Sequence, residues 1–402
     1  MTSTDEYLRL GPEFYADPHA DYAWMREERP ISRVITPLGN AVWLVTRYAD
    51  AREALTDPRL HKDNEEFRLL MEARYGPGRR TFEDAINAHM LSADPPDHTR
   101  LRKLVGKAFT GRAIAALRPR IEEIAAGLLD AMEAGPDRVD LLDAYAFPLP
   151  ITVICELLGV PMDDRDDFRT WSNTILQSGD ADAHTAAGLA MAQYLTALVD
   201  ERRAHPTDDM LGAIVRASED TDQLSRHEAI SMAFLLLVAG HETTVNLIGT
   251  GTYALLRHPS QLAALRADPE LVPNAVEEFL RWDGPVHLAT VRFTASPTVI
   301  GGVEIPAGEV VLVSLTSANR DPDRYPDADA LDVRRQAASH LAFGHGIHHC
   351  LGAPLARLEG EIAFTRLLER FPDLALDGAP EELTWRPSTL IRGLNHLPVR
   401  LR

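Results

Sequence analysis

The 402-residue chain is short of cysteine, of cationic charge and of long apolar runs, and each shortage removes a class of protein. Its two cysteines, Cys155 and Cys350, cannot build a disulfide framework or a four-thiolate metal site. With 41 Lys and Arg against 60 Asp and Glu, the net charge is −19. That balance argues against a nucleic-acid binder, which needs basic stripes to neutralise phosphates. The longest apolar run, ISMAFLLLVAG at 230–240, is too short to span a bilayer and has the length of a buried core helix. The opening MTSTDEYLRL has neither the basic nor the apolar segment of a secretory signal, so the expectation is a cytoplasmic protein without membrane contact. Fixed-period repeats and low-complexity linkers are missing as well. What remains is an ordinary globular composition, 45% hydrophobic and 25% charged, long enough to bury a large core.

Apolar spacings of three and four predict helices over 115–134, 187–203, 260–266 and 273–282, and over 354–371 with Pro354 at its start. A long helix is predicted over 225–257 around the apolar run. Strand signals are few and clustered. AVWLVT at 41–46 reads as a strand, and 298–315 reads as a hairpin turning at Gly301-Gly302. Helices in the majority with a few segregated strands predict a mainly α (α+β) fold in one domain, 1–402. The polar, Gly/Pro-punctuated stretch 61–91 reads as a long loop, and loops of that length are often functional.

Two short segments carry chemistry. Residues 343–352 read Phe343-Gly344-His345-Gly346-Ile347-His348-His349-Cys350-Leu351-Gly352, and a helix follows within a few residues. A thiol near a helix N-terminus is biased towards thiolate, the form that ligates metals. A free Cys in a turn is also commonly a small buried hydrophobe, so both roles stay open from spacing alone. A Gly-x-Gly-x-x-Gly dinucleotide loop is excluded by His349. The second segment ends the apolar run: Ala239-Gly240-His241-Glu242-Thr243-Thr244. A zinc-binding HExxH motif fails there, because position 245 is Val. A polar cluster within an apolar helix is costly unless compensated, and Thr hydroxyls can bend such a helix by bonding one turn back. Glu278 and Arg281, three apart on one helix, form an i,i+3 ion pair that is common on surfaces.

Together these segments resemble the cytochrome P450 family. Phe-Gly-x-Gly-x-His-x-Cys-x-Gly is similar to its haem-binding signature, Ala-Gly-x-Glu-Thr-Thr to its oxygen-side helix, and Glu278-x-x-Arg281 to its structural ExxR pair. The resemblance extends from Trp43 to Leu394 and is strongest with soluble actinomycete enzymes that decorate macrolides and other polyketides. It implies a P450-like fold with haem b buried between the helix at 239–244 and the loop at 343–352, and Cys350 as its proximal thiolate. It implies contacts to the haem from Phe343, Gly344, Gly346, Ala239 and Gly240, with Gly346 letting the loop pass close to the porphyrin. His98, Arg102, Arg292 and His348 would hold the propionates. Thr243 and Glu242 would deliver protons to bound O₂. Glu278 and Arg281 are read as structural.

The implied activity is a monooxygenase inserting one atom of O₂ into a bulky hydrophobic molecule, by hydroxylation or epoxidation, in macrolide and antibiotic biosynthesis. An oxidative coupling or ring-closing enzyme without oxygen insertion is the alternative, and a haem sensor or carrier a more distant one. Val238, Val286, Leu288, Ala289 and Leu390 would line the pocket. Helices at 165–195, with Trp171 and Met191, would form a lid. Since no flavin or iron–sulfur motif is present, electrons would come from NAD(P)H through ferredoxin reductase and ferredoxin. The cluster Arg100, Lys103, Lys107 and Arg112 would dock that acidic partner. The expected state is a monomer.

Overall fold

The computed structural model of the chain describes residues 7–37, 39–76, 86–107, 109–176, 181–219 and 224–402. Its longer helices are α1 (His19–Glu28), α2 (Asn64–Tyr75), α3 (Asp97–Gly106), α4 (Arg118–Ala134), α5 (Pro148–Leu158) and α6 (Arg165–Leu176). They continue with α7 (Ala181–Ala204), α8 (Met210–Glu219), α9 (Arg226–Arg257), α10 (Pro259–Ala267), α11 (Val272–Asp283) and α12 (Ala353–Arg370). The strands are β1 (Leu8–Arg9), β2 (Ile31–Ile35), β3 (Ala41–Val45), β4 (Leu60–His61), β5 (Arg138–Asp140) and β6 (Arg292–Thr294). The remainder are β7 (Thr298–Ile300), β8 (Val303–Ile305), β9 (Val310–Val313), β10 (Ala375–Leu376) and β11 (Pro398–Arg400).

The described residues group into two compact units. One comprises those of Met1–His61, Ala125–Ala146 and Thr243–Arg402; the other comprises those of Lys62–Ile124 and Phe147–Glu242. The first unit holds all the strands named above. A six-stranded sheet runs β1-β2-β3-β9-β6-β4, a three-stranded one β10-β11-β5, and β7 and β8 form a hairpin. β3 and β9 pair in parallel, the aromatic Trp43 with Val311 and the β-branched Val45 with Val313. Their inward side chains build one apolar cluster with Ala51, Leu55, Ile300 and Ile305. A second cluster joins Leu247 of α9, Phe279 of α11 and Phe364 of α12. Full burial of a Leu or Phe contributes about 1.5–3 kcal/mol each, so these two clusters anchor the unit. The second unit is helical: α6 packs on α7, and its buried residues include Ile151, Ile154, Cys155, Phe168 and Met191.

Two expectations are revised. The stretch 61–91 is not all loop, because α2 occupies Asn64–Tyr75, with the Asp63 carboxylate accepting from Glu66 N–H at its N-terminus. Residues 77–85, including Pro77 and Gly78, lie outside the described residues. The 298–315 segment turns at Gly301-Gly302 as expected, but β9 leaves the hairpin to join the large sheet. Helix α9 is long and apolar enough to cross a membrane, yet 83% of its apolar window is buried inside the fold. That is the pattern of a core helix.

Candidate active site

The cysteine loop belongs wholly to the first unit. Helix α12 starts at Ala353, with Pro354 in its first turn, so Cys350 stands just ahead of a helix N-terminus. Its N–H donates to Phe343 O at 2.8 Å, and His349 N–H closes a turn on Gly346 O at 3.1 Å. Gly344 and Gly346 both adopt positive φ, 71° and 74°. At Gly346 a Cβ would come within 2.9 Å of Thr56 Cγ2 and 3.1 Å of Leu55 O. That glycine is therefore required both by its positive φ and by the fit of the loop against residues 55–56.

The start of the loop is clamped from behind. The Arg357 guanidinium lies 4.5 Å above the Phe343 ring and makes a forked pair with Glu277, at 2.6 and 3.0 Å. His340 Nε2 is 3.3 Å from the same carboxylate. Burial works to raise the Glu277 pKa, but hydrogen bonds from His340 and Arg357 outweigh it and hold the group down at about 2. The two cysteines now separate. Cys350 is exposed, whereas Cys155 is buried in α5 and burial pushes its thiol up to about 12.

The adjoining Glu278–Arg281 pair has no exposed surface. Arg281 makes two bonds to the carboxylate, at 2.7 and 2.8 Å, and gives its other N–H groups to the carbonyls of Asn319, Ala328 and Ala330. Glu278 Oε1 also accepts from Asp332 N–H and Arg335 Nε. Arg335 is thus the third member of the pair, which sequence spacing did not single out.

Along α9, accessibility changes abruptly. Residues 229–238 are buried, then Ala239 is exposed and Gly240 and Thr243 are half-buried, while His241, Glu242 and Thr244 are buried again. Ala239 and Thr243 are four apart, so one strip of small side chains is accessible in the middle of a core helix. Gly240 has a packing reason: a Cβ there would lie 2.8 Å from Ile154 of α5. Glu242 is 1% exposed and accepts from Ser172 Oγ at 3.1 Å. His241 Nε2 lies 3.2 Å from that hydroxyl and 3.5 Å from Glu242 Oε1. Neither His241 nor Ser172 stands out as a functional residue from sequence alone. A histidine beside an acid inside an apolar run was the available signal for the first; nothing local marked the second.

The cationic residues fall in both units. In the first, Arg292 is buried at the start of β6 and donates to Thr290 O, while His348 sits half-buried in the turn before Cys350. In the second, α3 carries buried His98 and half-buried Arg102 on one face. Arg100 is tied to Asp97 at 2.8 Å and Glu228 at 2.5 Å, whereas Lys103, Lys107 and Arg112 are exposed. Of the expected pocket residues, backbone bonds gather four in the first unit. Val286 bridges Ile391, Leu288 bridges Ser314, His287 N–H donates to Leu390 O, and Ala289 N–H to Val313 O. Ala289 belongs to the sheet's apolar cluster, and Val286 packs against it. Val238 is buried in the second unit, where the His89 and Phe234 rings stack parallel at 6.5 Å.

These residues suit haem. They offer an exposed thiol on a backbone-fixed loop at a helix N-terminus, an accessible strip of small residues on a core helix, and imidazole and guanidinium donors for carboxylates.

Comparison with known proteins agrees. The Cytochrome P450 family model matches residues 166–382. Cytochrome P450 monooxygenase PikC of Streptomyces venezuelae is 54% identical over 396 residues, covering 98% of this chain and 93% of that protein. Mycinamicin IV hydroxylase/epoxidase of Micromonospora griseorubida is 45% identical over 384 residues, 94% of each chain. The structure of the tirandamycin C-bound P450 monooxygenase TamI is similar with a TM-score of 0.93 at 50% identity, covering 98% of this chain and 100% of that one. The chain belongs to the cytochrome P450 family. It is a monooxygenase of that family, which uses haem and O₂ with electrons from a redox partner.

Proposed function

We propose that this P450 inserts one oxygen atom into a bulky hydrophobic natural product, most simply a polyketide macrolide, by hydroxylation or epoxidation. The observation that carries the reading is the Cys350 loop: an exposed thiol whose N–H is anchored on Phe343 O, ahead of α12. Cys350 is the proposed thiolate ligand, and a bound haem would supply oxygen activation. Phe343, Gly344, Gly346, Ala239 and Gly240 are the proposed neighbours of the cofactor. His98, Arg102, Arg292 and His348 are the proposed partners of its propionates.

Glu242 and Thr243 are the proposed proton handlers, because splitting an O–O bond needs protons delivered to one oxygen and withheld from the other. Val238, Val286, Leu288, Ala289 and Leu390 are the proposed apolar lining, and α6 and α7 the proposed lid. Mycinamicin IV and tirandamycin C, in the names of two relatives, support the substrate class. The proposed electron source is NAD(P)H through a ferredoxin reductase and ferredoxin, docking near Arg100, Lys103, Lys107 and Arg112. The proposed location is the cytoplasm, as a monomer.

The deciding experiment is turnover under ¹⁸O₂ with a panel of macrolactones. A product carrying one labelled oxygen supports the reading. A coupled or cyclised product without label replaces it with the ring-closing alternative.

A further inference from the structure

The part of the proposed pocket wall that lies in the first unit is made of two segments, 285–290 and 388–392, and one residue joins them. His287 N–H donates to Leu390 O at 2.9 Å, and His287 O accepts from Leu315 N–H at 3.1 Å. On one side of it Val286 bridges Ile391, and on the other Leu288 bridges Ser314. Arg392 N–H adds a bond to Pro285 O at 2.8 Å. The backbone of His287 is thus the crossing point of the segments that carry Val286, Leu288, Ala289 and Leu390.

The side chain of His287 reaches into the N-terminal segment instead. Its imidazole is 1% exposed, stacks on Phe14 at 5.4 Å and 23°, and places Nε2 at 2.6 Å from Tyr22 Oη. Phe14 and Tyr22 are themselves buried and meet edge to face at 5.1 Å. Burial, helped by the Arg392 guanidinium, pulls the His287 pKa down to about 3, and burial pushes the Tyr22 phenol up. Both groups are neutral at working pH, so their contact is an uncharged hydrogen bond whichever of them donates. The Tyr22 hydroxyl also bonds the Ser314 side chain, on the residue that Leu288 bridges. Ser314 Oγ in turn accepts from Ser317 N–H at 3.0 Å. A buried polar group that loses its partner costs more than the bond itself contributed, so this phenol holds both sides of the crossing in place.

We infer that Tyr22 and His287 are positioning residues for the substrate: their hydrogen bond fixes the spacing of the 285–290 and 388–392 segments, and with it the size of group that the apolar wall admits. Neither belongs to the proposed lining. Tyr22, on α1, acts through His287, and His287 acts through the backbone of its neighbours. The inference rests on Val286, Leu288 and Leu390 lining the pocket as proposed above.

The test uses the haem-loaded enzyme and two probes, imidazole and 4-phenylimidazole, whose binding to the iron is read from the Soret shift. Imidazole is too small to press on the wall and reports the iron alone, whereas 4-phenylimidazole also needs room beside it. The variants are Tyr22→Phe, which keeps the ring and removes only the hydroxyl, and His287→Leu. In each, the ratio of the two Kd values should move by about fivefold from wild type, with the Kd of imidazole unchanged. The double variant should move it no further than the worse single, because both changes break the same bond. Phe364→Leu, in the other apolar cluster of the unit, is the control for lost stability: its Tm should fall while the ratio holds. If the ratio ignores Tyr22→Phe and His287→Leu but shifts in Leu288→Ala, the wall stands without the bond and the inference is disproved. It is equally disproved if the two effects add in the double variant, or if Phe364→Leu moves the ratio as far, since stability and not position is then being read. If Leu288→Ala and Leu390→Ala also leave the ratio unchanged, the proposed lining falls first and takes this inference with it.

Discussion

Glu278 and Glu242 are both buried carboxylates, in different units, at 0% and 1% exposure. Around Glu278 the partners are fixed donors that cannot change roles: guanidinium groups of Arg281 and Arg335 and the Asp332 N–H. Around Glu242 the partners include a hydroxyl and an imidazole, each able to give or take a proton. A carboxylate enclosed by permanent cations and amides is locked as an anion and serves as an anchor. One that meets a hydroxyl and an imidazole has neighbours able to exchange a proton with it and suits transfer. Burial alone does not tell these roles apart; the chemistry of the partners does.

The sharpest way to break the comparison is Glu278→Ala. It strands Arg281 in a site with no exposure, so a loss of about 3–5 kcal/mol is expected in denaturant melts. Replacing Glu278 and Arg281 together with apolar residues should recover part of it. If the single change costs less than Ser172→Ala, whose unmade hydrogen bonds are worth about 1–3 kcal/mol, the anchor reading is wrong.

Glu359 offers a third case, a buried carboxyl on α12 whose titration is governed chiefly by burial. Its pKa rises to about 8 on burial, from an unfolded value near ~4.3. The folded state therefore holds this proton more tightly, and stability should fall as pH rises from about 4.3 to about 8. Glu359→Gln removes that penalty. Its Tm should match wild type near pH 4 and exceed it by several degrees near pH 9; a gap that is equal at both ends would contradict the burial argument.

Glu277 tests the opposite sign at smaller scale. Its pKa of about 2 means stabilisation present above the unfolded value and lost as pH falls towards 2. The site is partly open, so Glu277→Gln should cost only about 1 kcal/mol at neutral pH, with the difference vanishing near pH 2. Amide exchange at Cys350 should quicken, because the Arg357 clamp on Phe343 loosens.

What the sequence revealed, and what it hid, follows from distance along the chain. The Cys350 loop, the ion pair at Glu278 and Arg281, and the long helix at 225–257 were legible because each is contiguous or three residues apart. Ser172 was not, since it meets His241 and Glu242 only across 69 and 70 positions. The two glycines were recognised, but their packing partners, Ile154 for Gly240 and Thr56 for Gly346, lie far off in sequence and could not be read from it. Helix α2 was missed although Asp63, Glu65 and Glu66 gave start signals and Gly76 a stop. Its charged first turn and the Gly/Pro punctuation just after it made the stretch look like loop.

The most direct test of the whole account is the absorption spectrum of the reduced, CO-bound holoenzyme, taken for wild type, Cys155→Ser and Cys350→Ala. The account predicts the red-shifted Soret band of a thiolate-ligated haem in wild type and Cys155→Ser, and its loss in Cys350→Ala. A wild-type protein without that band, or a Cys350→Ala variant that keeps it, would contradict the assignment of Cys350 as the ligand.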